Sequence, residues 1–169
     1  MKTTRQIIFS ALLAALTCVA TMLIKIPSPL AGYINLGDCV VLLCGILLPT
    51  PYAFCAAGIG SALADVFSGY AMYAPATFVI KGLMAIIVRG FYLLFKRKGK
   101  RFGYLLGGIL AELWMIMGYL LFESVLYGIV PSLVNVPANA VQGVAGVLIG
   151  ALLIKLFEKQ KIASFFTAP

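Results

Sequence analysis

The stretch ATFVIKGLMAIIVRGFYLLFKRKGKR, residues 76–101, decides how this chain folds. It begins with an apolar run from Ala76 to Phe95, broken only by Thr77, Lys81, Arg89 and small residues. It closes on Lys96, Arg97, Lys98, Lys100 and Arg101. About 20 apolar residues of α-helix cross the hydrocarbon core of a bilayer. Lys and Arg collect at the cytoplasmic ends of such helices. The stretch therefore reads as a spanning helix that emerges in the cytoplasm.

The same pattern extends in both directions. Toward the N-terminus lie apolar runs over about 5–26, 38–48 and 52–68, separated by Pro27 and Pro29 and by Pro49-Thr50-Pro51. Toward the C-terminus lie runs over about 102–127 and 138–158. Proline lacks the N–H that a helix interior needs, so these prolines mark helix ends. The run over 38–48 is short for a span and is expected to be tilted or partly buried. The first run is longer than the apolar region of a secretory signal and is followed by Lys25 and Pro27, so it reads as a retained helix.

Composition agrees. The chain of 169 residues is 63% hydrophobic and 11% charged, against about 45–50% and about 25% for soluble domains. The +8 net charge does not point to nucleic acid. Its cations sit in blocks between apolar runs: Lys2 and Arg5, the cluster after Phe95, and Lys155, Lys159 and Lys161. Six spans put all three blocks on one side. The expectation is an all-α membrane protein with six transmembrane helices and both termini cytoplasmic. It is read as a single domain, residues 1–169.

The three connections on the other side are GYINLGD (32–38), GYAMYAP (69–75) and GIVPSLVNVP (128–137). They and the adjoining helix ends carry Tyr33, Asn35, Asp38, Tyr70, Tyr73 and Asn135. Asn139 and Gln142 stand three apart, and Tyr119 and Glu123 four apart, each pair on one helix face. Aromatic rings with a few amides and a carboxylate suit a small planar polar ligand. The plain alternative is an interfacial belt of tyrosines with Asn139 capping a helix. The candidate binding residues are Tyr33, Asn35, Asp38, Tyr73, Lys81, Tyr119, Glu123, Asn139 and Gln142.

Charges inside predicted spans need partners or a purpose. Depth along neighbouring helices pairs Asp65 with Lys81 and Arg89 with Glu112 as structural ion pairs, leaving open whether Lys81 also reaches a ligand. Small residues at spacing four, Ser10/Ala14 and Ala11/Ala15, make a face on the first helix that admits a close helical neighbour. The chain lacks histidine, and Cys18, Cys39, Cys44 and Cys55 have no CxxC spacing, so no metal site or disulfide is expected. No phosphate loop of the GxxxxGK[ST] form, HExxH or GxSxG occurs, which argues against an enzyme and against any cofactor.

These residues resemble the substrate-binding S components of energy-coupling factor (ECF) vitamin transporters, in the riboflavin-transporter-like branch. The likeness rests on Lys25-Ile26-Pro27 leading to Gly32 through Asp38, on Gly58 through Asp65, on Gly69-Tyr70, and on Tyr73-Ala74-Pro75 through Thr77 to Lys81-Gly82. It covers most of the chain. At Leu48-Pro49-Thr50-Pro51 the sequence departs from relatives that carry Gly-Pro.

The resemblance implies a substrate-binding domain in the bacterial cytoplasmic membrane that captures a vitamin or precursor from outside the cell. It also implies partners: an EcfT-type membrane coupling subunit, contacted through Ala11, Ala14 and Ala15, and two ATP-binding subunits. The polar set leans toward pyridoxine or hydroxymethylpyrimidine, with riboflavin next. A self-sufficient small secondary transporter or channel is the alternative, and a ligand-free membrane partner is a third reading.

Overall fold

The computed structural model describes residues 2–30, 32–97 and 102–159. Of the basic blocks, Lys98, Lys100, Arg101 and Lys161 lie outside the described residues, as do the side chains of Lys2 and Lys159.

Six principal helices form among the described residues: α1 (Lys2–Leu23), α2 (Gly37–Leu47), α3 (Thr50–Phe67), α4 (Ala74–Arg97), α5 (Gly103–Tyr127) and α7 (Val136–Lys159). A single turn, α6 (Ile129–Ser132), and a 3-10 turn (Leu133–Asn135) precede α7. α1, α4, α5 and the α6–α7 stretch are long and apolar enough to cross a membrane. Large apolar side chains such as Leu12, Leu113, Val144 and Leu152 stand exposed on their outer faces, as lipid-facing helices require.

Two connections differ from the sequence expectation. α1 ends at Leu23, and residues 25–35 form a hairpin of strands β1 (Lys25–Pro27) and β2 (Tyr33–Asn35), antiparallel with Ile26 opposite Ile34. Pro27 tolerates this because it lies at the end of an edge strand. Gly32 supplies a positive φ of 88° at the turn. The segment 128–137 is mostly helical turns rather than open loop.

α2 organises the bundle. It is 11 residues long, about 16 Å at 1.5 Å per residue, well short of the roughly 30 Å of the hydrocarbon core. Every one of its residues is buried, and it packs against α1, α3, α4 and α7. Its sequence, GDCVVLLCGIL, has no polar face because it has no lipid or water face. At its far end α2 stops before Pro49, Pro51 sits in the first turn of α3, and Arg89 on α4 donates to the Leu48 carbonyl.

α3 ends in a glycine cap. Gly69, at φ 85°, lets Tyr70 N reach Asp65 O (2.8 Å) and Gly69 N reach Val66 O (3.2 Å). This turn aims Tyr70 and Tyr73 back over the bundle end. α1 and α3 approach closely at Gly60, where an added Cβ would stand 2.4 Å from the Ala14 carbonyl oxygen.

Candidate functional site

The hairpin, the C-terminal ends of α3 and α5, and the N-terminal ends of α4 and α7 meet at the bundle end opposite Lys96 and Arg97. They enclose a cavity of about 30 Å³, room for about two waters. Its wall includes seven of the nine candidate residues: Tyr33, Asn35, Tyr73, Tyr119, Glu123, Asn139 and Gln142.

Helical spacing explains the convergence. Tyr119 and Glu123 lie one turn apart on α5, Asn139 and Gln142 one turn apart on α7, and Tyr73 and Thr77 four apart at the start of α4. Thr77 Oγ1 and the Tyr119 hydroxyl hydrogen-bond at 3.1 Å across the cavity. Tyr33, Tyr70 and Tyr73 run as a train of rings, with centroids 5.1 and 6.3 Å apart, ending on Phe122 at 5.3 Å from Tyr73.

The hairpin is tied down by side chains that reach it from distant parts of the chain. Tyr33 OH donates to Asp65 Oδ1 (2.8 Å). Asn35 N and Nδ2 both donate to Gln142 Oε1 (2.9 and 3.3 Å). Leu30 N donates to Asn135 Oδ1 (3.1 Å), and Asn135 Nδ2 donates to Glu123 Oε1 (2.9 Å). Lys25 Nζ donates to Ser68 Oγ (3.0 Å) and stands over the Tyr33 ring. Burial, and then the neighbouring Asp65 carboxylate, push the Tyr33 phenol well above its ordinary range. Tyr33 therefore remains a donor at physiological pH.

Asp38 and Lys81 do not line the cavity. They form a layer behind its wall. Gln142 Nε2 donates to Asp38 Oδ2 (2.6 Å), and Lys81 Nζ forms a buried ion pair with Asp38 Oδ1. This corrects the pairing expected from depth. Lys81 is bound to Asp38 and not to Asp65, because α2 lies against α4 and brings its first turn to the lysine. Asp65 instead accepts from Tyr33 and lines the cavity. The Arg89–Glu112 pair does not form either. Arg89 is spent on Leu48, and both Glu112 oxygens lack a hydrogen-bond partner among the described residues.

Inside the cavity wall two acceptors have no donor among the described residues: Asp65 Oδ2 and Glu123 Oε2. The half-buried Asn139 side chain joins them on the wall. Ser28, Gly32 and Thr77 line the cavity without having been singled out from sequence. Thr77 was legible as the middle of a Tyr73–Thr77–Lys81 stripe at spacing four. Ser28 and Gly32 depend on the hairpin, which has no strong alternating pattern to announce it.

On the side of the bundle, α1 and α3 border an apolar groove of about 600 Å³. Ala11, Ala14 and Ala15 lie in it, beside Cys18, Cys55 and Ile59.

The profile of the family described as "ECF-type riboflavin transporter, S component" matches residues 1–159. The chain belongs to this family. It is thus an integral membrane protein and a transporter component, not an enzyme. The Pyrococcus woesei protein named "Uncharacterized protein in gap 3'region" is 38% identical over 143 residues, which is 84% of this chain and 94% of that protein. A solved structure described as "Structure and mechanism of the S component of a bacterial ECF transporter" superposes with a TM-score of 0.76. It covers 93% of this chain and 97% of that one at 20% identity, a likeness of fold. None of these relatives lends support to a pyridoxine or hydroxymethylpyrimidine preference.

Proposed function

We propose that this S component is a single substrate-binding unit that crosses the membrane six times with both termini cytoplasmic, and that it captures a flavin of the riboflavin class on the hairpin side. The observation that carries this reading is the pair of donorless acceptors, Asp65 Oδ2 and Glu123 Oε2, in a cavity also walled by tyrosines and amides. Buried acceptors without donors are costly, by about 1–3 kcal/mol each. A ligand with several hydroxyls on a chain and a planar ring with a mixed donor–acceptor edge satisfies both parts of the wall. Hydroxyls of the chain donate to Asp65 and Glu123. The ring lies among Tyr33, Tyr73 and Tyr119, with Asn139, Asn35 and Gln142 at its polar edge.

The enclosed space is far below the roughly 300–1,000 Å³ of typical ligand sites. Capture therefore includes displacement of the hairpin and a partial exchange of its bonds to Asp65, Gln142 and Asn135 for bonds to the ligand.

Transport then belongs to a complex. The Ala11, Ala14 and Ala15 groove supports docking of a helical EcfT-type coupling subunit, with two ATP-binding subunits supplying energy. The chain itself has no phosphate loop. Mass spectrometry and the visible absorbance of the purified protein test the ligand. A co-purified or added flavin that binds in one-to-one ratio is expected. Tight binding of a pyridine or pyrimidine with no flavin binding refutes the flavin reading. Uptake by the chain alone in vesicles, without partners or ATP, refutes the complex and favours a self-sufficient transporter.

A further inference from the structure

No charged residue stands between Glu123 and Lys155. The link from α5 to α7, GIVPSLVNVP (128–137), lies within that stretch. Its polar side chains are Ser132 and Asn135, and both are buried. Ser132 Oγ donates to Gly128 O (2.8 Å), and Asn135 holds Glu123 and the hairpin's Leu30 N. The opposite face is apolar. Ile129, Val130, Leu133 and Val134 are all exposed, Val130 to 73%. A contiguous apolar surface of this kind is a liability in water.

The same surface runs on into the flanking helices. Along α5 every fourth residue from Leu105 to Val125 is apolar and exposed, and that spacing makes one stripe along a helix. Val141, Val144 and Leu148 make the corresponding stripe on α7. These are lipid-facing helices. The exposed residues of the link lie between the two stripes in the chain and extend them. The hairpin differs: Lys25 is exposed on it, and an ammonium stays in water or among headgroups.

The backbone supports the same placement. A chain in hydrocarbon must satisfy its own N–H groups. Gly128 N donates to Ser124 O (3.0 Å), Ser132 N to Gly128 O (3.3 Å), Leu133 N to Ile129 O and Val136 N to Leu133 O. Pro131 and Pro137 have no N–H to satisfy. An open loop suffices in water; a link in hydrocarbon needs turns.

We propose that the link between α5 and α7 is a lipid-embedded wall of the cavity. Ile129, Val130, Leu133 and Val134 dock among the acyl chains of the leaflet on the hairpin side, while Ser132 and Asn135 face the bundle. The partner is lipid and not a second protein chain, because the surface continues lipid-facing stripes and exposes no charged or hydrogen-bonding side chain by which a protein partner would be chosen. Lipid then backs the wall that carries Glu123 and Asn139. The hairpin is the wall that meets water. This placement rests on the chain being a membrane protein and not on the flavin reading.

The test puts a single tryptophan on the link, Val130→Trp in a Trp114→Phe background, in phosphatidylcholine nanodiscs that leave both membrane faces open. The quenchers are bromine carried on the acyl chains and iodide in the water. Trp114 of the unaltered chain is the reference for lipid, and free N-acetyltryptophanamide the reference for water. The expected result is quenching by bromolipid comparable to that of Trp114, and iodide quenching several-fold weaker than that of the free indole. Iodide quenching near that of the free indole overturns the proposal. A tryptophan shielded from both quenchers also overturns it, because protein then covers the face; crosslinking that rises with chain density would identify a second copy. Should the variant not fold, the unaltered chain is photolabelled from a lipid with a diazirine in its acyl chain. Label mapped to residues 129–134 by mass spectrometry upholds the proposal. Label on α5 and α7 that leaves 129–134 bare overturns it.

Discussion

Replacing Lys81 by Met removes the ammonium from the buried pair and leaves Asp38 charged. Lys81 and Asp38 are 2% and 0% exposed, so water cannot take over the lost contact. Breaking one partner of a buried ion pair costs about 3–5 kcal/mol. Asp38 stands in the first turn of α2, where the helix dipole favours its charge. That dipole and the bond from Gln142 remain in both proteins and cancel. The net loss is about 3–5 kcal/mol, or about 2 to 3.5 powers of ten in the folding equilibrium at about 1.4 kcal/mol per tenfold. Domains commonly have about 5–15 kcal/mol to lose.

The assay is thermal unfolding in detergent followed by fluorescence of Trp114, the sole tryptophan. Its indole donates to the carbonyl of Ile80, next to the mutated residue (3.3 Å). Lys81→Met is expected to unfold at markedly lower temperature. The double variant Lys81→Met/Asp38→Asn is expected to recover most of the loss, because Asn keeps an acceptor for Gln142 without the charge. A double variant no more stable than the single one refutes the argument. A Lys81→Met protein of normal stability that cannot bind ligand refutes it differently, by placing the ammonium on the ligand.

Tyr33→Phe removes the 2.8 Å bond to Asp65. A hydrogen bond to a charged acceptor contributes about 1.5–3 kcal/mol, so ligand dissociation should accelerate about tenfold or more and hairpin amides should exchange faster by mass spectrometry, with little change in melting temperature. Gly146→Ala forces a methyl into contact with Glu112 and Asp38 and should destabilise by about 1–3 kcal/mol. Gly90→Ala, where an added Cβ meets nothing within 4 Å, should be neutral or stabilising by up to about 1 kcal/mol; the two melting temperatures together check the packing. Ala15→Trp should fill the α1–α3 groove, blocking co-purification with a coupling subunit while leaving ligand affinity intact.

The helices were legible because lipid imposes one rule along the whole chain: backbone polar groups must be paired within the helix, and the exterior must be apolar. Prolines and glycines then mark the ends, and the cations Lys96 and Arg97 stand in the last described turn of α4. The cavity was legible for a second reason. Polar residues are so scarce here that their spacing on α5 and α7 leaves few arrangements, and Tyr119, Glu123, Asn139 and Gln142 do converge. The hairpin was not legible. Three-residue strands are too short for a periodic signal, and the register of Lys25 against Asn35 is held by side chains more than 30 residues away, among them Asp65 and Gln142.

The partner of Lys81 shows where one-dimensional reasoning stops. Depth along the chain makes Asp65 the neighbour of Lys81, since α3 and α4 are joined by a short turn. Depth says nothing about which helix occupies the centre. α2 takes that place because it is short, apolar on every side and free of any face suited to lipid headgroup or water, and it carries Asp38 at its first turn into the middle of the bundle. Had α2 lain outside, Asp38 would meet water, Lys81 would turn to Asp65, and Tyr33 would share its acceptor with an ammonium that weakens it. The placement of this one helix thus joins the ion pair to the closing of the hairpin: Lys81 held by Asp38 leaves Asp65 for Tyr33. It follows that Asp38→Asn, by releasing Lys81, should draw the ammonium toward Asp65 and loosen the hairpin although Asp38 touches neither strand. Faster amide exchange over residues 25–35 in Asp38→Asn, matched to that of Tyr33→Phe, is the expected result, and unchanged exchange there would show that the two bonds are independent.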